Sequence, residues 1–407
     1  MKPKKKTQII ITKTPFLQIA VLLIFNLFSQ IVFSQTFIPG NTYYDSTGYV
    51  KYIAGNLPII ISAPHGGSLK PSSIPDRNCT GCVYEKDAWT LPIAEGMQTA
   101  CFQQTGCYPH VIINLLHRVK FDANRNIGEA ADGNPTVEEA WNGYHAFIDA
   151  AKAKIITDYG RGLFLDIHGH GHTIQRIELG YLLSGAELGL SDTNLNTNTF
   201  IQESSIRSLV ATNILGISHS ELLRGTNSFG TLLGNAGFPT VPSQSIPYPA
   251  ISDPYFDGGY NTQRHGSRDN NVQIDAIQIE LNQDIRNNSV TRQILINSLT
   301  TIANQYINYH YNNQYSNNYC NLILSNSEHS NLEHNFIIYP NPAKDYINID
   351  SNLNEFDVEI YNYLGQKLYS QLYTGSKIKI DFLSNGIYIL QLKKGNQLLN
   401  SMKFIKE

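Results

Sequence analysis

Apolar runs without polar alternation recur along the chain as far as residue 311. Runs of this kind are typical of strands that are buried on both faces of a sheet. They predict strands at residues 57–63, 110–116, 163–167 and 275–281. Helical spacing of apolar residues predicts helices at residues 91–103, 137–156, 204–215 and 291–311. Strands that alternate with helices indicate an α/β domain with a mixed, largely parallel sheet flanked by helices.

The pattern changes after residue 311. Residues 312–335 are rich in Asn, Ser and Tyr and lack apolar periodicity, which predicts a linker. From residue 336 to residue 407, short alternating strands separated by turns predict a small C-terminal β-sandwich. The first domain is therefore expected at residues 36–311.

The first 35 residues have a different character. Five lysines precede an apolar run at residues 16–33, and Ser34 and Gln35 follow it. A charged segment, an apolar segment and a small-residue exit are typical of a signal peptide for secretion. A membrane anchor is the alternative, but polar residues interrupt the run, so we expect no stable membrane span in the mature protein.

Composition adds two constraints. The formal net charge of -3 provides no basic surface for nucleic acid, so no nucleic-acid partner is expected. The five cysteines of an exported protein favour disulfides over a zinc ribbon. Short loops favour the pairs Cys79–Cys82 and Cys101–Cys107, although other pairings are open. Cys320 would then remain unpaired.

The most distinctive stretch is the end of the third predicted strand. Asp166, His168, His170 and His172 follow directly on its apolar residues. In a largely parallel sheet, ligands bind beyond the carboxyl ends of the strands. This stretch therefore predicts a metal site at the rim of the sheet, with a His-rich surface turn as the alternative.

Two other segments offer partners for that site. His65 follows the first predicted strand, and Glu85 and Asp87 lie in the segment after it. Two imidazoles and one carboxylate form a common catalytic zinc set, so we expect one Zn²⁺ bound by His65, His168 and one of these acids. Asp166 is expected to orient His168, with His170 close behind the ligands.

Glu280 is the candidate general base. Burying a carboxylate inside a strand costs free energy, so its presence there indicates a function. A buried salt bridge is its alternative explanation. Asn124 and Arg125 suit a substrate carboxylate, since arginine binds carboxylates through two parallel hydrogen bonds. The alternative for Arg125 is a turn in which it pairs with Asp122.

Six short motifs lie in the order found in N-formylglutamate amidohydrolases, which resemble zinc carboxypeptidases in fold and site. The motifs are residues 64–67 (PHGG), 121–125 (FDANR), 165–168 (LDIH), 177–180 (IELG), 258–260 (GGY) and 276–282 (AIQIELN). The resemblance covers roughly residues 58–311 and implies a phosphorylase/hydrolase-like α/β fold of the zinc-peptidase type. It implies His65 and His168 as zinc ligands, Asn124 and Arg125 at the substrate carboxylate, and Glu280 as general base.

The zinc-carboxypeptidase pattern also requires an acid three residues after the first histidine, but Ser68 stands there. The segment around Glu85 resembles the second-ligand segment of zinc N-acetylmuramoyl-L-alanine amidases, which favours Glu85 over Asp87. Substrate-binding candidates are Asn124, Arg125, Arg176, Gly259, Tyr260 and Arg264. Arg125 is also a catalytic candidate beside Glu280.

Together these features predict a secreted zinc-dependent amidohydrolase. It would cleave an amide or peptide bond of a carboxylate-bearing N-acyl amino acid or peptide, with Glu280 activating the water. One alternative is an N-acetylmuramoyl-L-alanine amidase that acts on cell-wall peptide. The other is a catalytically inactive peptide-binding module on the same fold.

Four C-terminal motifs resemble a type IX secretion sorting domain. They are residues 338–343 (IYPNPA), 363–368 (YLGQKL), 383–388 (LSNGIY) and 403–406 (KFIK). The resemblance implies contact with the type IX secretion machinery and a secreted or cell-surface location. A carbohydrate-binding sandwich is the alternative.

Overall fold

The computed structural model describes residues 36–213, 215–269, 273–311, 336–351, 353, 355–362, 366–375, 377–395 and 397–407. The predicted signal peptide, the predicted linker, Cys320 and residues 363–365 of one sorting motif lie outside this set. The chain forms two compact units, Met1–Leu324 and Ser325–Glu407. Each unit is described by itself.

The first unit is built on an eight-stranded sheet. In chain order its strands are β1 (Thr42–Tyr44), β2 (Val50–Ile53), β3 (Ile59–Ala63), β4 (His110–Asn114), β5 (Gly162–Gly169), β6 (Ile177–Gly180), β7 (Thr240–Val241) and β8 (Ile274–Leu281). Their order across the sheet is β1-β2-β4-β3-β5-β8-β6-β7. Strands β4, β3, β5 and β8 are mutually parallel, whereas β1, β2 and β6 join by antiparallel pairs. The predicted mixed, largely parallel sheet is confirmed.

Helices cover this sheet. In chain order they are α1 (Thr90–Thr105), α2 (Ile127–Ala131), α3 (Pro135–Tyr159), α4 (Gly185–Leu188), α5 (Asp192–Leu195), α6 (Asn198–Glu203), α7 (Arg207–Thr212), α8 (His219–Arg224), α9 (Phe229–Asn235), α10 (Tyr260–His265), α11 (Gln283–Asn287) and α12 (Ser289–His310). No helix among the described residues is long and apolar enough to cross a membrane.

Strand β5 shows how the two faces of the sheet are filled. Leu163, Leu165 and Ile167 join a buried cluster with residues of α1 and α12. Phe164 points the other way and joins a cluster with residues of α3. This alternation follows from the two-residue period of a strand. It explains why an unbroken apolar run predicts a central strand.

The predicted helix at residues 204–215 is shorter than expected, because helix α7 begins only at Arg207. The amide of Ser205 donates to Tyr181 O at 3.0 Å, and Ser205 O accepts from the amide of Ala276 at 3.1 Å. These bonds tie Ser205 to the edge of the sheet instead of to a helix. Tertiary pairing of the backbone therefore overrides the local helical pattern.

Two of the predicted cysteine features can be compared with the structure. The disulfide Cys79–Cys82 is present, as predicted. The predicted pair Cys101–Cys107 is wrong, because Cys101 is a buried free thiol and Cys107 belongs to another disulfide. Cys101 lies inside α1, where its sulfur is 3.7 Å from Asn304 Oδ1 of α12.

The second unit consists of two antiparallel sheets. Its strands are β9 (Phe336–Tyr339), β10 (Tyr346–Ser351), β11 (Phe356–Tyr361), β12 (Lys367–Tyr373), β13 (Ile378–Lys379), β14 (Gly386–Lys394) and β15 (Gln397–Lys406). One sheet has the order β13-β10-β9 and the other β12-β11-β14-β15. Ile347 and Ile349 of the first sheet share one buried cluster with Val358 and Leu390 of the second. The predicted small C-terminal β-sandwich is confirmed.

The central position of β5 generates a stability prediction. We expect Leu165→Ala to lower the free energy of unfolding of the first unit by about 2–5 kcal/mol, because it leaves a cavity in a closely packed layer. Ile294→Ala on the exposed side of α12 is the control, with an expected change within about 0.5 kcal/mol. Urea unfolding measures both. Equal losses for the two variants would contradict this view of the core.

Candidate metal centre

The carboxyl ends of three neighbouring strands bring the candidate residues together. His65 is the second residue after β3, His168 lies near the end of β5, and Glu280 lies near the end of β8. His168 and Glu280 are register partners in the parallel pair of β5 and β8. Their side chains therefore leave the same face of the sheet at the same edge, as expected for the ligand-binding edge of such a sheet.

His65, Asp87 and His168 form one buried group whose candidate ligand atoms all lie within 4.8 Å of one another. The Oδ2 atom of Asp87 is 3.3 Å from His65 Nδ1 and 3.3 Å from His168 Nδ1. Around a tetrahedral zinc ion, donors at bond lengths of about 2.0–2.1 Å lie about 3.3 Å apart. The spacing and the chemistry of this group, two imidazoles and a carboxylate, thus fit a zinc ion.

Two further carboxylates orient the imidazoles. His65 Nε2 donates to Asp122 Oδ1 at 2.6 Å, and His168 Nε2 donates to Asp166 Oδ2 at 2.8 Å. Because each Nε2 is bound to a carboxylate, the two Nδ1 atoms are the ring nitrogens that face Asp87. Such a carboxylate–histidine pair is the usual support for a metal-binding histidine. Asp166 is itself held by the hydroxyl of Ser62.

The acid that the structure brings into this group is Asp87, the alternative to the favoured Glu85. Asp87 is buried, whereas Glu85 is exposed and lies outside the group. The amide of Asp87 donates to His65 O at 3.0 Å, and Asp87 Oδ2 accepts from the amide of Gly169 at 3.1 Å. These backbone bonds draw Asp87 between the two histidines and leave Glu85 outside.

The electrostatics of the group favour its ionised form. Burial alone raises the pKa of Asp87, but His65 and His168 hold that pKa well below its ordinary range. The pKa of Asp122 is lowered in the same way. The lowering by His65 and Arg118 exceeds the raising by burial. Burial lowers the pKa of His168, but Asp166 and Asp87 raise it well above its ordinary value. The carboxylates and imidazoles of this buried group therefore stabilise each other's charged forms.

Glu280 stands beside this group without a strong partner. Its Oε1 atom is 4.0 Å from His168 Nδ1 and accepts from Gln278 Nε2 at 3.0 Å. Among the described residues, no arginine or lysine forms an ion pair with it. Burial raises the pKa of Glu280 to about 8, with Asp87 and Glu178 adding to the shift against the influence of His168. The salt-bridge alternative is thus limited to this 4.0 Å contact with His168, and the raised pKa makes the carboxyl a candidate general base.

Asn124 and Gly259 lie against the same centre. Asn124 Nδ2 is 3.5 Å from His168 Nε2, and Asn124 Oδ1 accepts from the amide of Asn261 at 2.7 Å. A Cβ atom on Gly259 would lie 2.4 Å from Asn124 Nδ2. Only glycine allows the start of α10 to approach Asn124 this closely.

Arg125 and Arg264 have different partners. The Arg125 guanidinium is 39% exposed and lies 3.8 Å from Glu129, so the alternative pairing with Asp122 is not seen. Arg264 Nη1 donates to the Tyr260 hydroxyl at 3.2 Å, and its guanidinium lies 5.0 Å from the ring centre of Trp141. Arg125 is thus the guanidinium that a substrate can reach with least rearrangement.

Arg176, His170 and His172 belong to a neighbouring cluster near β6. Arg176 pairs with Asp253 at 3.0 Å, and its carbonyl oxygen accepts from His170 Nε2 at 2.9 Å. His170 Nδ1 accepts from the amide of His172 at 3.2 Å, and His172 Nδ1 donates to Glu178 Oε1 at 2.9 Å. Protein hydrogen bonds thus occupy both nitrogens of His170. His170 holds the loop next to β6, and its prediction as a residue behind the metal ligands stays a prediction.

Sequence reasoning missed Asp122, Arg118, Ser62 and Arg77 as parts of the centre. Arg118 Nε donates to Asp122 Oδ2 at 3.0 Å, and its Nη1 lies 3.6 Å from Asp87 Oδ1. One signal was present for Asp122, because it lies two residues before Asn124 in a segment already assigned to the site. Ser62 and Arg77 gave no signal, since each reads as an ordinary residue of a strand or a loop.

The C-terminal unit can be assigned by comparison with known families. Residues 337–407 match the family model described as a secretion system C-terminal sorting domain. The second unit is therefore a type IX secretion sorting domain, and the prediction from its motifs is confirmed.

Solved structures similar to the chain include both predicted types of protein. An N-formylglutamate amidohydrolase from Ralstonia eutropha has 12% identity and a TM-score of 0.37, over 67% of this chain and 98% of that chain. A gene product of Agrobacterium tumefaciens has 10% identity and a TM-score of 0.38, over 64% and 93%. A metallo-carboxypeptidase from Pseudomonas aeruginosa has 12% identity and a TM-score of 0.32, over 72% and 69%. No curated protein matches the chain significantly. Because these TM-scores are low, the similarities do not establish the activity of this chain.

The choice between the two acids generates a direct prediction. We expect Asp87→Asn to weaken zinc binding by more than about 100-fold, beyond the range typical of outer-shell partners, because a charged ligand is lost. The matched control Glu85→Gln removes one nearby carboxylate and should leave the affinity unchanged. Isothermal titration of metal-free protein with Zn²⁺ measures both. A large loss in Glu85→Gln with normal binding in Asp87→Asn would contradict the assignment.

Proposed function

We propose that the first unit is a zinc-dependent hydrolase that cleaves an amide bond in a substrate with a free carboxylate. The observation that carries this proposal is the group formed by His65, Asp87 and His168, with Glu280 beside it. Three ligands leave a coordination position open, which is typical of catalytic rather than structural zinc sites. Binding alone would not require a buried, basic carboxyl next to the ligands.

The metal would be held by His65 Nδ1, His168 Nδ1 and the carboxylate of Asp87. When bound, a zinc ion supplies Lewis acidity that polarises a carbonyl group and makes water more acidic. Asp122 and Asp166 keep the Nδ1 lone pairs of the two histidines turned inward. Arg118 neutralises part of the negative charge of Asp87 and Asp122, so that the ligand set does not repel itself.

Glu280 would act on the proton of the attacking water. Its raised pKa brings the carboxyl close to neutral pH, where general bases are most effective. The same group can later give that proton to the nitrogen that leaves as an amine. Gln278 fixes Oε1 through its hydrogen bond, so the second oxygen remains available for proton transfer.

Asn124 and Arg125 would bind the carboxylate end of the substrate. The amide of Asn124 lies close to the centre, and the partly exposed Arg125 side chain donates through Nη1 to Asn124 O at 2.8 Å and lies 3.8 Å from Glu129. A charged hydrogen bond to a carboxylate contributes about 1.5–3 kcal/mol. This interaction would favour N-acyl amino acids and peptide carboxyl ends over substrates whose carboxylate is blocked.

The sorting domain supports an extracellular location for this chemistry. It indicates secretion or export to the cell surface and implies contact with the type IX secretion machinery. We therefore propose an exported hydrolase whose substrates are extracellular N-acyl amino acids or peptides.

Removing the general base should separate catalysis from metal binding. We expect Glu280→Gln to lower kcat by about 10²–10⁴-fold, because proton transfer is lost, while zinc stays bound. Hydrolysis of N-acyl amino acids, followed by amine release, measures the rate. The control Glu85→Gln should keep its activity. Should Glu280→Gln hydrolyse at the wild-type rate, or should the wild type release no amine at all, the proposed mechanism fails.

Paired substrates test the carboxylate site. We expect the wild type to prefer an N-acyl amino acid over its C-terminal amide by about 10–100-fold in kcat/KM, in line with one charged hydrogen bond. Arg125→Ala should abolish most of this preference, whereas Arg161→Ala at a remote position should keep it. A preference that survives in Arg125→Ala would show that another group binds the carboxylate.

A further inference from the structure

Arg77 is a buried arginine for which the proposed reaction has no direct use. Its side chain is 1% exposed. Nε and Nη2 donate to Arg118 O at 3.1 and 2.8 Å, and Nη2 also donates to Val83 O at 2.8 Å. Nη1 donates to Glu129 O at 3.0 Å and to Cys82 Sγ at 3.1 Å. An arginine has five N–H donors, so every donor of Arg77 has an acceptor.

One of the four acceptor atoms is a sulfur of the Cys79–Cys82 disulfide. The other sulfur, Cys79 Sγ, lies 3.8 Å from Nη1. The ring of Tyr84 lies 5.7 Å from the guanidinium carbon. The segment from Cys79 to Tyr84 therefore wraps around one buried cation. The disulfide closes this segment, and Arg77 fills its centre.

The same cation is connected to the metal centre in three ways. Arg77 Nη2 is 3.8 Å from Asp122 Oδ2, and Asp122 Oδ1 accepts the hydrogen bond that orients His65. Arg77 also holds the carbonyl of Arg118, whose side chain contacts both Asp122 and Asp87. The wrapped segment itself ends only three residues before Asp87. His65 is thus connected to Arg77 through Asp122. Asp87 is connected to Arg77 through Arg118 and through the chain segment that precedes it.

We propose that Arg77 is a positioning residue of the metal centre, and that the Cys79–Cys82 disulfide holds it in place. The pair fixes Asp122 and the chain that delivers Asp87, and it thereby sets the affinity of the centre for zinc. This inference rests on the proposed function, because it requires that His65, Asp87 and His168 bind the metal. A lysine at position 77 keeps the charge but has only three donors and cannot replace the five hydrogen bonds of the planar guanidinium.

Zinc affinity of the full chain tests the proposal without any substrate. Competition with a chromophoric chelator gives the Kd of the wild type, of Arg77→Lys and of the double variant Cys79→Ser/Cys82→Ser. We expect Kd to rise about 10-fold in both variants, the lower end of the range for outer-shell partners. Arg224→Lys and Cys101→Ser are the controls, because Arg224 also caps carbonyl groups and Cys101 is a free thiol. Both controls should keep the wild-type Kd.

If circular dichroism shows that Arg77→Lys does not fold, a measurement on the folded wild-type protein tests the proposal instead. A water-soluble phosphine reduces the disulfide and is oxidised to its oxide, while each sulfur gains an electron and a proton. Zinc release to the chelator should then accelerate. Since the phosphine also reduces the disulfide of Cys107, the double variant is treated in the same way and should show no further acceleration.

The outcomes separate this inference from the proposed function. Wild-type Kd values in Arg77→Lys and in the double variant overturn the role of Arg77. Unchanged zinc release after reduction overturns the role of the disulfide. A wild-type chain that binds no zinc overturns the proposed function, and this inference with it.

Discussion

The compensation of buried carboxylates is the constraint on which the candidate site depends. Asp87, Asp122, Asp166 and Glu280 are all buried at one edge of the sheet, and an unpaired buried charge costs several kcal/mol. Three of them have imidazole or guanidinium partners at hydrogen-bonding distance. Glu280 has the weakest partner, and it is the one whose pKa rises towards neutrality. Compensation by neighbouring charges thus keeps three of these carboxylates ionised, and the weak compensation of Glu280 leaves its carboxyl group more basic.

The fold meets this constraint by placing strand ends next to one another. The parallel order of β3, β5 and β8 brings His65, His168 and Glu280 to one edge, although they are far apart in the sequence. The loop after β3 adds Asp87, and the loop after β4 adds Arg118 and Asp122. His168 lies on a strand that is packed between helical layers and His65 lies two residues after one, whereas Asp87 lies further out in the loop before α1. The disulfide and the buried arginine lie in the segment that leads to Asp87.

The sequence predicted those parts of the molecule that depend on local patterns. The runs that became β3, β4, β5 and β8 were visible because a central strand needs apolar residues on both faces. Asp87 and Glu85 could not be separated in this way, since the choice depends on a hydrogen bond from the Asp87 amide to His65 O. Cys101 and Cys107 were paired wrongly because spacing along the chain does not reveal the direction of a side chain on a helix. The helix predicted at residues 204–215 was too long because the sequence does not reveal the tertiary hydrogen bonds of Ser205.

Anomalous diffraction at the zinc edge, from crystals of the full chain grown with Zn²⁺, tests the central claim most directly. The proposed site predicts one strong peak within bonding distance of His65 Nδ1, His168 Nδ1 and Asp87 Oδ2. A peak among His170, His172 and Glu178 instead, or no peak next to His65, would contradict it.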